Sequence, residues 1–225
     1  TQIFQMIEGE KLGSFWGYTF AGVWQEDDVN APFVDANGQT NGKTNGEVYK
    51  VKPGNSKYVD VNKDGVYNDA DQGIIGCGQP TFNWGWNNTF NYKNFDFSFF
   101  VVGFHGFDIY NATHQMGYNL IKSQQMAGVT PMRELLNRWT PTNTNTDIPG
   151  FVKGGTENKD FFSTRFVENG SFIKMKSITL GYTLPEATCR SLGINNLRVY
   201  ASVQNPFHIT KYSGLDPEAT MGSPL

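Results

Sequence analysis

Two aromatic runs separated by only two residues constrain this chain more than any other feature. Phe82, Trp84, Trp86, Asn88, Phe90 and Tyr92 alternate with Asn83, Gly85, Asn87, Thr89 and Asn91. After Lys93-Asn94 come Phe95, Phe97, Phe99 and Val101, set against Asp96 and Ser98. A period of two is the signature of an extended strand, whose successive side chains point to opposite faces. The pair predicts an antiparallel hairpin with a tight turn, aromatic on one face and small or polar on the other. Such an apolar face needs a cover: a second sheet if the protein lives in water, or hydrocarbon if it lives in a bilayer.

Three further runs read as strands. Leu197, Val199, Ala201 and Val203 alternate cleanly with Arg198, Tyr200, Ser202 and Gln204. In Phe172 to Leu184, Ile173 and Met175 oppose Lys174 and Lys176, but Ile178, Leu180 and Tyr182 then fall on the lysine face. The fifth run, Gly13 to Trp24, is rich in glycine and aromatics. Helical periodicity is rare. It is clearest where Thr130 offers an N-cap, Pro131 suits the first helical position, and Met132, Leu135, Leu136 and Trp139 share a stripe. The Thr140-Pro141 step ends it.

The connections say more than the strands. Residues 25–80 and 105–170 are long and read as largely without regular structure, whereas 93–94 and 185–196 are short. Short and long connections alternate in transmembrane barrels, with short turns on the periplasmic side and long loops outside. A soluble sandwich rarely carries two such loops in succession. Composition narrows the classes. Charged residues make up 17% of the 225-residue chain, against roughly 25% in ordinary soluble domains. A net charge of -3 speaks against non-specific nucleic-acid binding, and 15% aromatics speak against disorder. No stretch approaches the roughly 20 apolar residues of a spanning helix. The expectation is therefore an all-β chain, an antiparallel transmembrane β-barrel segment with long extracellular loops. The competing expectation is a secreted all-β, calcium-stapled module that binds glycans through Trp and Tyr. Five strands cannot close a barrel, which takes at least about eight, and open edges cannot face lipid. The chain is thus expected to be part of a longer polypeptide. Its start, Thr1-Gln2-Ile3, and its end, Met221 to Leu225, fit truncation at both ends.

One motif carries site chemistry. Asp60, Asn62 and Asp64 occupy positions 1, 3 and 5 of a 12-residue loop, Gly65 position 6, Val66 position 7 and Asp71 position 12. That is the spacing of an EF-hand-type calcium loop. A hard divalent cation wants six to eight oxygens, and alternate residues of a tight loop supply them. Lys57-Tyr58-Val59 before it reads as extended, so a structural calcium staple in an outer loop is expected rather than a regulatory EF-hand. An Asx-rich turn without metal has the same sequence signature. Elsewhere the chemistry is sparse. His105, His114 and His208 are isolated and expected as polar wall or loop residues. Cys77 and Cys189 are a disulfide or two free thiols. No nucleophile, P-loop or zinc motif occurs, and the chain is not expected to be an enzyme.

At this point the residues go beyond general pattern. Gly13-Ser14-Phe15-Trp16-Gly17-Tyr18, Tyr58-Val59-Asp60, Asn62-Lys63-Asp64-Gly65, Arg138-Trp139-Thr140-Pro141, Glu168-Asn169-Gly170-Ser171-Phe172-Ile173-Lys174, Leu180-Gly181-Tyr182-Thr183-Leu184-Pro185, Gln204-Asn205-Pro206-Phe207 and Leu215-Asp216-Pro217-Glu218 stand in order along the chain. In these blocks the sequence resembles the C-terminal part of the SusC/RagA family of TonB-dependent outer-membrane transporters. The resemblance implies a bacterial outer-membrane location and a barrel of roughly 22 strands around a plug. It implies energised import of oligosaccharides or peptides, with a SusD-like lipoprotein as lid and the TonB complex as drive. The plug, its TonB-contacting segment, the earlier strands and the last strand are expected to lie outside this sequence. Within it, Lys174, Lys176, Arg198, Tyr200 and Gln204 are the candidates for substrate-facing residues on the barrel's inner wall.

Overall fold

The computed structural model describes residues 7–118, 132–150 and 161–218. In chain order the strands are β1 (Ser14–Tyr18), β2 (Phe20–Val23), β3 (Pro32–Val34), β4 (Thr40–Thr44), β5 (Ser56–Tyr58), β6 (Gln72–Cys77), β7 (Phe82–Tyr92), β8 (Phe95–His105), β9 (Asp108–Tyr110), β10 (Val167–Asn169), β11 (Phe172–Thr183) and β12 (Arg198–Thr210). The helices are α1 (Glu26–Asn30), α2 (Asn45–Tyr49), α3 (Ala112–Tyr118) and α4 (Glu186–Ser191), with 3-10 turns at Asp69–Asp71, Arg133–Asn137 and Thr164–Phe166. None of the described helices is long and apolar enough to cross a membrane. The chain divides into two compact units, 1–77 with 110–168 and 78–109 with 169–225.

The second unit is built on a four-stranded antiparallel sheet in the order β12-β11-β8-β7. The expected hairpin is there: Phe82 pairs with His105 and Tyr92 with Phe95, closed by Lys93-Asn94 with Lys93 at φ 52°. These strands have 11, 11, 12 and 13 residues, enough to span a bilayer, which takes about 9–11. The register also explains why alternation fails along Phe172–Leu184. An irregularity lies between Met175 and Ser177 against both neighbouring strands. A bulge adds one residue and flips the parity beyond it. Ile173 and Met175 before the bulge therefore share a face with Ile178, Leu180 and Tyr182 after it. Across the sheet that face continues in register through Val101, Phe99, Phe97 and Phe95 of β8 and through Ile209, Phe207, Val203, Ala201 and Val199 of β12.

This apolar face has no sheet over it among the described residues. Trp86 is 55% exposed, Phe90 54%, Phe95 51%, Val203 54% and Phe207 51%. The unit's buried cluster is small, comprising Val102, Phe107, Ile109 and Phe172 with Phe104 and Tyr212 against it.

The first unit corrects two expectations. Gly13–Trp24 is not one long strand. It breaks into β1, which pairs with β6, and β2, which pairs with β5; their 5 and 4 residues are too few to span a bilayer. The two long connections are not structureless either. They fold together around a core of Phe15, Tyr18, Val23, Trp24, Phe33, Tyr58, Phe162 and Phe166. The Tyr18 amide donates to the Phe162 carbonyl at 3.0 Å and the Gly150 amide to the Gly54 carbonyl at 2.8 Å. Trp139 donates its indole N–H to Gln25 Oε1 at 2.9 Å. Of the expected helix, Thr130 and Pro131 lie outside the described residues, and Arg133–Asn137 form a 3-10 turn. Cys77 and Cys189 do not form a disulfide with each other.

Candidate functional site

The face opposite the aromatic one carries Asn83, Asn87, Thr89 and Asn91 of β7, Asp96 and Ser98 of β8, Lys174, Ser177 and Thr179 of β11, and Arg198, Tyr200, Ser202 and Gln204 of β12. Arg198, Tyr200 and Gln204 thus lie on one polar wall, as does Lys174; Lys176 sits at the bulge. They do not form one cluster. The register puts Lys174 opposite His208, and Arg198 opposite Thr183 at the other end of the same strands.

At the first end, Lys174 is 5% exposed and its ammonium lies 2.7 Å from both Asp216 Oδ2 and Glu218 Oε2. Lys176 pairs with the second oxygen of Glu218. A charge this buried is tolerable only with such partners. For Asp216 and Glu218, burial works to raise the carboxyls. The hydrogen bonds from Lys174, joined at Glu218 by Lys176, outweigh it and hold both below their ordinary values. The segment after β12 therefore folds back as a strap on the polar face.

At the other end, Arg198 grips Asp96 with two bonds, Nε to Oδ1 at 3.0 Å and Nη2 to Oδ2 at 2.5 Å, while its guanidinium lies over the Tyr200 ring. The pair reaches from β8 to β12 across β11. Gly181 makes that reach possible, because a Cβ there would collide with the Asp96 carboxylate and the Arg198 guanidinium. The sequence reading missed Asp96, Gly181, Asp216 and Glu218. Asp96 stood out as a lone acid on the polar side of an aromatic strand, and Gly181, Asp216 and Glu218 lay in blocks that carry the family resemblance, but none of these signals named a partner. Tyr200 and Gln204 are exposed on the wall.

The calcium-type loop belongs to the first unit. Asp60 Oδ2 accepts from the Gly65 amide and from the Tyr49 hydroxyl, both at 2.8 Å. Gly65 takes φ 83° there, the left-handed turn that glycine permits. Asp64 accepts from the Val66 amide at 2.8 Å and from the Asn62 side chain at 2.9 Å, and its carboxyl is held below its ordinary value mainly by the Val66 bond. Asp71 is fully engaged, taking the Val61 amide at 2.8 Å and the Asn68 amide at 3.0 Å. The Val66 carbonyl accepts from Asn68. Beside the loop, Tyr49 stacks on Tyr67, and burial pushes the Tyr67 phenol up to about 12. Asp60 Oδ1 is buried without a donor. Among the described residues no group of three His, Cys, Asp or Glu side chains is placed to hold a metal.

No family model matches the sequence. Individual proteins do. TonB-dependent receptor P3 of Formosa agariphila is 35% identical over 219 residues, 97% of this chain and 20% of that protein. Another receptor of that organism, P26, is 30% identical over 96% of this chain. This stretch of chain belongs to the SusC/RagA family of TonB-dependent receptors. The receptor SusC of Bacteroides thetaiotaomicron is 32% identical over 76% of this SusC/RagA-type chain and 16% of its own length. The fold agrees. The RagAB peptide importer in its open-open state superposes with a TM-score of 0.65 at 21% identity, over 96% of this chain and 21% of that one. Its closed-closed state gives 0.63 at 22% identity. The SusC/RagA-type chain spans about a fifth of the curated relatives it matches.

Proposed function

We propose that this chain is part of the wall and outer loops of an outer-membrane barrel that imports oligosaccharides or peptides under TonB drive. The observation that carries the reading is the four-stranded sheet with one continuous, uncovered apolar face and one polar face. Lipid covers the first, and an aqueous passage borders the second. The secreted glycan-binding module would need a second sheet over Trp86, Phe90 and Phe95, and the exposure of those rings goes against it. A SusD-like lipoprotein is the expected lid, docking over the folded unit made by the long connections. Those connections leave and re-enter β7, β8 and β11 at the strand ends away from the Lys93-Asn94 turn. The test is made on the full-length receptor in its own cell. It should fractionate with the outer membrane and co-purify with a surface lipoprotein, and its deletion should abolish growth on one oligosaccharide or peptide source. Recovery in the soluble fraction without detergent would overturn the reading.

The loop 60–71 is proposed as a calcium staple of that outer unit. The buried Asp60 Oδ1 without a donor supports it. Asn62, Asp64 and the Val66 carbonyl would supply the remaining protein oxygens, with water completing the shell. Asp71 would serve chiefly by bracing the backbone at Val61 and Asn68. Calorimetric titration of the full-length receptor should show one calcium site that Asp60→Ala removes. No uptake by the unaltered protein would dismiss the staple.

A further inference from the structure

At the end of the sheet away from the Lys93-Asn94 turn, the apolar face runs into a groove of about 370 Å³. His105, Asn169, Ser171, Ile173, Ile209 and Lys211 line it, and no Asp or Glu does. His105 shares the face of Phe82 and Phe95, so it is an outward residue and not part of the polar wall expected from sequence. Thr210 lines it too and spends its hydroxyl hydrogen on the Ser171 carbonyl at 3.0 Å, but the other polar groups are left with donors to spare. Trp84 donates its indole N–H to His105 Nε2 at 3.2 Å, which puts the proton of the neutral ring on Nδ1. Ser171 Oγ accepts from the Gly106 amide at 3.2 Å and keeps its own hydrogen to give. Asn169 spends its Oδ1 on the Ser171 amide at 2.9 Å, leaving the NH2 group. Lys211 has no acceptor among the described residues. An ammonium and three neutral donors around one hollow, with no carboxylate in its lining, fit an anion. Below them Ile173 and Ile209 form a cross-strand pair, and the apolar strip continues through Met175 and Phe207.

We infer that this groove binds a phosphate-bearing lipid of the outer leaflet, its headgroup on Lys211, His105, Ser171 and Asn169 and an acyl chain along Ile173, Ile209, Met175 and Phe207. A free phosphate would use the donors but not the isoleucine floor; a lipid uses both. The inference rests on the import reading, in which the short turns face the periplasm and this end meets the outer leaflet.

The test is native mass spectrometry of the full-length receptor, delipidated in detergent. The probes are diphosphorylated lipid A, its fully dephosphorylated form and inorganic phosphate. The receptor should retain the phosphorylated lipid about tenfold better than the dephosphorylated one, the worth of a charge-assisted contact. Lys211→Gln should lose that preference, while Lys93→Gln, at the opposite end, should keep it. Equal retention of the two lipids overturns the site, as does an unchanged Lys211→Gln variant or displacement of the lipid by millimolar phosphate. A receptor that fractionates with the outer membrane yet fails these tests leaves the import reading standing. One that does not reach the outer membrane takes both down.

Discussion

Phe99 sits near the middle of β8, on the aromatic face. Trp86 meets it edge-on at 5.2 Å between ring centroids, and Phe97 and Phe90 lie at 5.9 and 6.2 Å. Its neighbour Ser98 occupies the opposite, polar face. Replacing Phe99 by Arg puts a guanidinium at mid-bilayer depth, which costs about 2–4 kcal/mol in a transmembrane barrel. Losing aromatic contacts adds about 0.5–1.5 kcal/mol per pair where geometry is good. Counting the one close edge-on pair with Trp86, the sum for Phe99→Arg is about 2.5–5.5 kcal/mol, whereas Ser98→Arg, on the wet face, should stay within about 1 kcal/mol. Phe99→Leu separates a bilayer from a protein core. Lipid repacks around leucine, so the loss is mainly the ring contacts, whereas a rigid core would add a cavity cost. Urea unfolding of the full-length receptor in lipid vesicles, followed by tryptophan fluorescence, measures all three. If Phe99→Arg and Ser98→Arg cost the same, the aromatic face does not border hydrocarbon and the barrel assignment fails.

Other expectations come from the same geometry. A double-mutant cycle of Asp96→Ala and Arg198→Ala should give a small coupling that weakens as salt is added, since both side chains are partly exposed. Gly181→Ala should abolish that coupling by wedging the pair apart, and a Gly181→Ala protein that keeps it would contradict the steric role. Against the effect of burial, Lys174 lowers the carboxyl pKa of Asp216, and Lys174 with Lys176 lowers that of Glu218, so their contribution is complete above the ordinary carboxylate range of about 4. It is lost as pH falls through the depressed values. The protection factors of the 211–218 amides, taken relative to their intrinsic exchange at each pH, should accordingly be high at pH 6 and fall below about pH 4; protection that does not change with pH would count against the ion-paired strap. Trp139→Ala removes a half-buried indole that rests on Gly54 and holds Gln25. It should cost about 2–4 kcal/mol in the outer unit and expose residues 132–150 to protease, with β7 and β8 unaffected.

The strands of the sheet were legible in the sequence because side-chain alternation is a local property. Phe82 to Tyr92 and Phe95 to Val101 declare both their extension and their two faces without reference to the rest of the chain. The loop from Asp60 to Asp71 was legible for the same reason, its turn being written in Asn62, Asp64 and Gly65. The run Phe172–Leu184 marks the boundary. Its broken alternation is visible in sequence, but only pairing with β8 and β12 turns the break into a bulge that restores one apolar face. Beyond that, tertiary structure decided. Lys174 finds Asp216 and Glu218 more than 40 residues away, and Asp96 meets Arg198 at a separation of 102. Gln25 meets Trp139 at a separation of 114. Two connections without periodicity fold into one compact unit because scattered aromatics pack together, Tyr58 and Phe161 against Tyr18, and Phe162 against Phe15 and Tyr110. Sequence alone specified which residues point the same way along a strand. Which distant residues meet was set by chain closure and burial, and no local pattern encodes those.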